Sequence, residues 1–267
     1  MQPITSARVD WDARISRATE LIEHYPAAAQ LLLFYRNVAG FQRTVYEQVL
    51  QQAKADVQRP LRGQLNQELL APFFPELLRL VEEHGPAQLV ESARALRTAG
   101  ESKWREKLMD HIAGLEPASG MDEFFARACV EPYAEHLGSQ IATRHSQTAG
   151  TCPVCTGKPM LGVLRPEGEG ARRSLVCSFC LTEWDFRRLL CPACGEESER
   201  NLPVYTTEGL PHIRVESCDS CRHYLRSVDM SRNGFAVPLV DEIAAAPLDL
   251  WAGEKGYQKI APNLLGL

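Results

Sequence analysis

Eight of the nine cysteines lie between residues 152 and 221, and all eight come as C-x-x-C pairs: CPVC at 152–155, CSFC at 177–180, CPAC at 191–194 and CDSC at 218–221. The first pair recurs after 39 residues and the second after 41. Each copy is a CP-x-C turn, an insert of 21 or 23 residues, and a second C-x-x-C. This is an internal repeat of one small module. Modules of about 40 residues cannot bury enough apolar area to fold unaided. A C-x-x-C turn aims two thiolates at one point, and two facing turns complete a tetrahedron around a metal, with metal–sulfur distances of about 2.3 Å for zinc. The spacing therefore predicts one site held by Cys152, Cys155, Cys177 and Cys180 and another by Cys191, Cys194, Cys218 and Cys221. Metal binding would supply much of the folding energy of each module. Two ions per chain are expected, and because iron and zinc both accept four thiolates, the metal stays open between Fe and Zn.

Three rival readings compete for these cysteines. Thioredoxin-type disulfides need a reactive pair at a helix N-terminus beside a βαβ unit, and this context is missing. A nested pairing would join the two middle turns, since only ten residues separate Cys180 from Cys191, but the repeat favours sequential pairing. His223 follows Cys221 by two residues. Eight cysteines already complete two sites, so His223 is expected to be exposed.

The N-terminus has no apolar h-region, and no apolar run approaches the roughly 18 residues of a membrane span. The expected location is the cytoplasm, with no membrane insertion; thiols there stay reduced, which favours ligation over disulfides. Net charge is −5, and residues 151–230 hold 10 Lys+Arg against 11 Asp+Glu. A nucleic-acid-binding zinc ribbon needs a basic surface to displace counterions. No nucleic-acid partner is expected, although Arg172, Arg173, Arg187 and Arg188 form a local basic group. The seven histidines pair with no evident nucleophile, and GEG at 168–170 lacks the Gly-Lys-Ser/Thr of a phosphate loop. The chain reads as no enzyme. A homodimer is compatible with the sequence.

Residues 1–151 contain only Cys129 and read as helical. Leu31, Phe34, Tyr35, Val38, Phe41, Val45 and Val49 recur in steps of three and four, with Gly40 a weak point in the helix they predict. Met121, Phe124, Phe125, Ala128, Cys129, Tyr133, His136, Leu137 and Ile141 form a second stripe, with a kink expected at Pro132. Cys129 on that stripe reads as a buried thiol. Shorter patterns span 75–83, 87–98 and 102–113. Five to seven helices over about 145 residues can bury a core of their own. In the second half, RRSLVC and PHIRVESC read as strands leading into knuckles, a helix is expected over 241–253, and GYQKIAPNLLGL reads as extended. The linker LTEWDFRRLL at 181–190 puts Trp184 and Phe186 on one face, as filling between the modules. Arg187 and Arg188 are its candidates for partner contact.

The segments TCPVC, LVCSFCLTEWDFRRLLCPACGE, RVESCDSCRHYLRSVDM and the tail LDLWAGEKGYQKIAPNLLGL closely resemble the formate dehydrogenase accessory protein FdhE family. CSFCLTEW is the most specific piece, and the match covers about 120 C-terminal residues; LLLFYRNVAGFQ and PYAEHL extend it loosely into the helical half. The resemblance implies an α+β multidomain chain: an α-helical domain over 1–148, two rubredoxin-like or zinc-ribbon modules over 149–189 and 190–232, and a C-terminal helix and tail over 233–267. It implies a non-catalytic metal-binding factor for the cytoplasmic maturation of respiratory formate dehydrogenase, with that enzyme's catalytic subunit as partner. The eight paired cysteines match the family's metal-binding positions. The alternatives are a zinc-ribbon nucleic-acid binder and a redox-active rubredoxin-like iron protein. One departure concerns the first knuckle: family members often have Gly directly after it, whereas Thr156 precedes Gly157 here.

Overall fold

Asp10 caps the first helix, its carboxylate accepting from the Ala13 amide at 2.8 Å. The computed structural model describes residues 9–115, 120–141 and 148–267. Seven α-helices lie among the described residues of the first half: α1 (Trp11–His24), α2 (Ala29–Leu50), the single turn α3 (Gln67–Leu70), α4 (Phe74–His84), α5 (Ala87–Ala99), α6 (Glu101–Ala113) and α7 (Gly120–Ser139). The Leu31-to-Val49 stripe is the inner face of α2, with Leu31 partly exposed at its start, and the helix runs unbroken through Gly40. The three shorter patterns are α4, α5 and α6. The second stripe is α7, buried from Phe124 through Tyr133, although the Met121 side chain lies outside the described residues.

Pro132 sits inside α7 without ending it. A proline there removes the N–H that would bond the carbonyl of Ala128. Gln42, fully buried on α2, supplies the missing donor: its Nε2 lies 3.3 Å from the Ala128 oxygen. Phe34 and Phe124 meet in the same interface with ring centroids 5.5 Å apart.

The second half builds one sheet from β1 (Pro159–Glu167), β2 (Gly170–Cys177), β3 (Glu183–Asp185), β4 (Val204–Thr206), β5 (Ile213–Ser217), β6 (His223–Asp229) and β7 (Gln258–Lys259). RRSLVC and PHIRVESC lie in β2 and β5. The GEG motif is the tight hairpin turn between β1 and β2, with Gly168 at φ 55°. The strand order is β3-β2-β1-β6-β5-β4, with β7 paired beside β6. The joint is a parallel pairing of β1 with β6, from Leu161 opposite Arg226 to Leu164 opposite Asp229. The two four-cysteine modules therefore share a sheet. Arg173 of β2 reaches Glu216 of β5 at 2.6 Å, so an ion pair ties the two halves of that sheet as well.

The expected helix over 241–253 is two helices, α8 (Pro238–Ala244) and α9 (Pro247–Glu254). Pro247 has no N–H to continue the first and is pre-set to begin the second. Helix α8 packs on both the sheet and the helical half. Its Asp241, fully buried, takes Arg17 of α1 at 2.6 Å and His212 at 2.8 Å. The tail beyond β7 returns to α7, where buried Arg127 donates to the carbonyls of Pro262 and Asn263 at 2.9 and 2.8 Å.

Candidate metal centres

Each knuckle closes in the same way. The amide of the first cysteine donates to the carbonyl five residues on: Cys152 to Gly157, Cys177 to Thr182, Cys191 to Glu196 and Cys218 to His223, all at 2.8–3.0 Å. The residue after the second cysteine adopts a left-handed conformation: Thr156 at φ 62°, Leu181 at 54°, Gly195 at 79° and Arg222 at 60°. Only one of the four is glycine. The Thr156 substitution noted in the sequence therefore leaves the turn intact, and the threonine takes the left-handed position itself. Gly157 is needed for another reason. A Cβ there would stand 2.9 Å from the Cys177 sulfur and 3.2 Å from that of Cys155.

The thiols gather in two groups, Cys152, Cys155, Cys177 and Cys180 in one and Cys191, Cys194, Cys218 and Cys221 in the other, with the sulfurs of each group within 4.8 Å of one another. The arrangement is sequential; Cys180 and Cys191, neighbours in the nested alternative, lie in different groups. In the first group Cys152–Cys180, Cys155–Cys177 and Cys155–Cys180 are 3.7, 3.3 and 3.4 Å apart. In the second, Cys191–Cys221 and Cys194–Cys218 are 3.8 and 3.7 Å apart. A tetrahedron of sulfurs about 2.3 Å from a central ion has edges of about 3.8 Å, so both groups fit a four-thiolate ion. Backbone amides also point at sulfur, from Val154 to Cys152 at 3.4 Å and from Phe179 to Cys177 at 3.3 Å, which favours thiolate.

Four buried sulfurs this close do not all ionise by themselves. Hydrogen bonds from Cys155, Cys177 and Cys180 draw the Cys152 thiol far down. Their counterpart is that Cys177 and Cys180 are held well up, first by their bonds to Cys152. Four thiolates at once need a cation at the centre.

The two groups sit in different surroundings. All four cysteines of the first are buried, whereas Cys194 is exposed and Cys221 half-exposed in the second. The first group is backed by the helical half: Arg62 lies 3.6 Å over the ring of Phe179, the ring of His111 is 5.4 Å from it, and Arg127 donates to the Ser178 carbonyl at 2.7 Å. Thr182 Oγ1 lies 3.2 Å from the Cys180 sulfur. Sequence spacing marks Thr182 only by its place two residues after the knuckle, and it carries no signal for Arg62 or His111.

Trp184 and Phe186 are both buried, and the Trp184 indole donates to the Ala149 carbonyl at 3.0 Å. His223 is half-buried, with Nδ1 2.9 Å from the Cys221 carbonyl, which corrects the expectation of an exposed ring. Cys129 is fully buried in α7, and burial pushes its thiol far up. Three members of the local basic group are paired: Arg172 with Asp185 at 3.4 Å, Arg173 with Glu216, and Arg187 with Glu197 at 2.6 Å. No helix among the described residues is long and apolar enough to cross a membrane.

Residues 151–188 match a family model described as "FdhE, central domain", and residues 190–265 one described as "FdhE, C-terminal domain". A "Protein FdhE homolog" of Aquifex aeolicus is 27% identical over 267 residues, covering 94% of either chain. Another, of Pseudomonas aeruginosa, is 30% identical over 293 residues, covering 94% of this chain and 88% of the relative. The crystal structure of the FdhE protein from Pseudomonas aeruginosa superposes with a TM-score of 0.68 over 97% of both chains, at 25% identity.

Proposed function

The chain belongs to the FdhE family, and from that premise we propose that it is a non-catalytic, metal-binding accessory factor that binds the catalytic subunit of respiratory formate dehydrogenase during its maturation in the cytoplasm. The observation that carries the reading is the pair of four-thiol groups, each set at tetrahedral spacing within a fold shared with FdhE. In this proposal Cys152, Cys155, Cys177 and Cys180 hold one ion and Cys191, Cys194, Cys218 and Cys221 the other. A bound iron or zinc would fasten each pair of knuckles and supply folding energy. The chain's own part is to keep the two modules rigid against each other through the shared sheet, and so to offer a fixed surface to a partner. Arg188, exposed and without an ion pair among the described residues, is the member of the linker left to meet a carboxylate.

The nucleic-acid alternative gains nothing from the arginines, because three of the four are already neutralised by carboxylates. Metal analysis of anaerobically purified protein should give two equivalents per chain, and immobilised protein should capture purified formate dehydrogenase catalytic subunit. An Arg187→Ala, Arg188→Ala double variant should keep both metals and lose most of the capture. One metal equivalent or none would reject the ligand assignment, and no capture by the unaltered chain would reject the partner.

A further inference from the structure

The path of the sheet ends on two strands, β3 and β4. The side chains of β3 are tied down: Glu183 takes Arg165 at 2.7 Å, and Asp185 takes Arg172. By contrast all three residues of β4 are exposed. The alternation of hydrogen bonds shows which way its backbone points. Ser217 donates to the Pro203 carbonyl at 3.0 Å and Asp219 to that of Asn201 at 2.8 Å, while the register sets Tyr205 opposite Val215. Bonded and non-bonded pairs alternate in an antiparallel ladder. Tyr205 thus spends its N–H and C=O on β5, and those of Val204 and Thr206 face outward.

A cavity of about 370 Å³ opens beside this edge. Leu164, Leu225 and Ile260 line it from the sheet and tail; Leu189, Leu190 and Pro192 line it from the linker and the third knuckle. The Arg173–Glu216 pair crosses it, and Cys191 and Cys218 of the second thiol group form part of its wall. Val204 stands opposite Glu216, which stands opposite Leu225, so all three side chains share the sheet face that bears the cavity. Leu189 and Val204, 50% and 53% exposed, are both at the lining and in solvent. Arg188 also belongs to the lining and carries a charge with no partner among the described residues.

Outward backbone groups on a strand are matched by those of another strand. Exposed apolar residues on the same face ask for apolar side chains at alternate positions of that strand, and an unpaired guanidinium at the rim asks for a carboxylate. We infer that β4 is a docking edge for an extended segment of the client polypeptide, apolar at every second residue, which lengthens the sheet, places a side chain in the cavity and sets an acidic residue against Arg188. The inference rests on the client-binding reading above and gives that partner a site and a conformation. Docked there, the segment would lie against the wall that carries Cys191 and Cys218.

Residue-resolved amide exchange of the full, metal-loaded chain tests this, with and without purified formate dehydrogenase catalytic subunit. Exchange at Val204 and Thr206 should slow at least tenfold in the complex, while Tyr205, already bonded to β5, should change little. Thr206→Pro removes one outward N–H and leaves the bonds to β5 in place, so it should keep both metals and its melting temperature and weaken capture at least tenfold. Leu189→Asp should weaken capture in the same way without touching the strand. A complex that forms with no protection at Val204 and Thr206, or that ignores both variants, overturns the docking edge and leaves the client reading standing. No complex with the unaltered chain removes the client reading and this edge together.

Discussion

Thr156 is the residue at which the fold holds most against local preference. A β-branched residue at φ 62° is strained, and such positions cost on the order of 1–3 kcal/mol. The threonine recovers part of this by donating its hydroxyl to the Cys155 carbonyl at 2.6 Å. Thr156→Gly relieves the strain but loosens the unfolded chain by about 0.5–1 kcal/mol. The expected result is a net gain of about 1 kcal/mol in denaturant melts of metal-loaded protein, and a loss would mean that the hydroxyl bond outweighs the strain. His111 is a second residue with a definite sign. Burial, helped by the charges of Arg127 and Arg62, lowers its pKa to about 3; Glu123, 3.6 Å away, faces it as well. The unfolded ring titrates near 6.5, so over that window the unfolded chain binds the extra proton and stability falls as the pH drops from about 6.5 towards 3. A His111→Phe variant should show a shallower loss of stability than the parent between pH 6.5 and 4, measured by denaturant titration at each pH. Parallel curves would show that the imidazole stays accessible to protons.

Elements were legible where burial is apolar and periodic. The stripes of α2, α4 and α5 follow steps of three and four, because each helix lays one apolar face on the others. Helix α1 escaped that reading because its buried face includes Arg14 and Arg17, which pair inward with Glu135 and Asp241. Strand β6 escaped for the same reason: Arg226 and Asp229 are buried in it, held by Glu242 and Arg214. The pairing of β1 with β6 has no local signature, since a parallel register between distant segments is set by what packs on both faces. The thiol groups were fully legible because a C-x-x-C turn carries its own geometry. Pro132 marks the boundary between the two cases. Helix α7 continues past it, and Gln42 on another helix serves the carbonyl it strands. Gln42→Leu should therefore cost about 1–3 kcal/mol by leaving the Ala128 carbonyl without that donor, with helix content by circular dichroism little changed. A neutral effect would mean that water or a neighbouring amide reaches that carbonyl instead.

At the scale of the whole molecule, the apolar stripes alone suggest a helical half able to fold by itself, but the described core does not stop at that boundary. It continues from α1, α2 and α7 into Val240, Ile243 and Ala244 of α8, and into Leu175, Trp184 and the first thiol group. Two buried arginines cross the same boundary. Arg17 ends on Asp241, and Arg127 on the carbonyls of Ser178, Pro262 and Asn263. Cutting the chain at residue 148 would strip Arg17 of its buried carboxylate and Arg127 of three acceptors, and expose the faces that met α8 and β2. Breaking one buried pair by removing a partner costs about 3–5 kcal/mol, and a whole domain is held by about 5–15 kcal/mol. A 1–148 fragment should accordingly keep helical circular dichroism yet melt well below the full chain and over a broader range. Arg127→Met in the full chain separates the junction from the truncation. It should lower the melting temperature and speed loss of one metal equivalent to a chelator, because Arg127 braces the knuckle that holds Cys177 and Cys180. A fragment that melts as sharply and as high as the full chain would show that the shared core adds nothing, and that the helices need neither the sheet nor the tail.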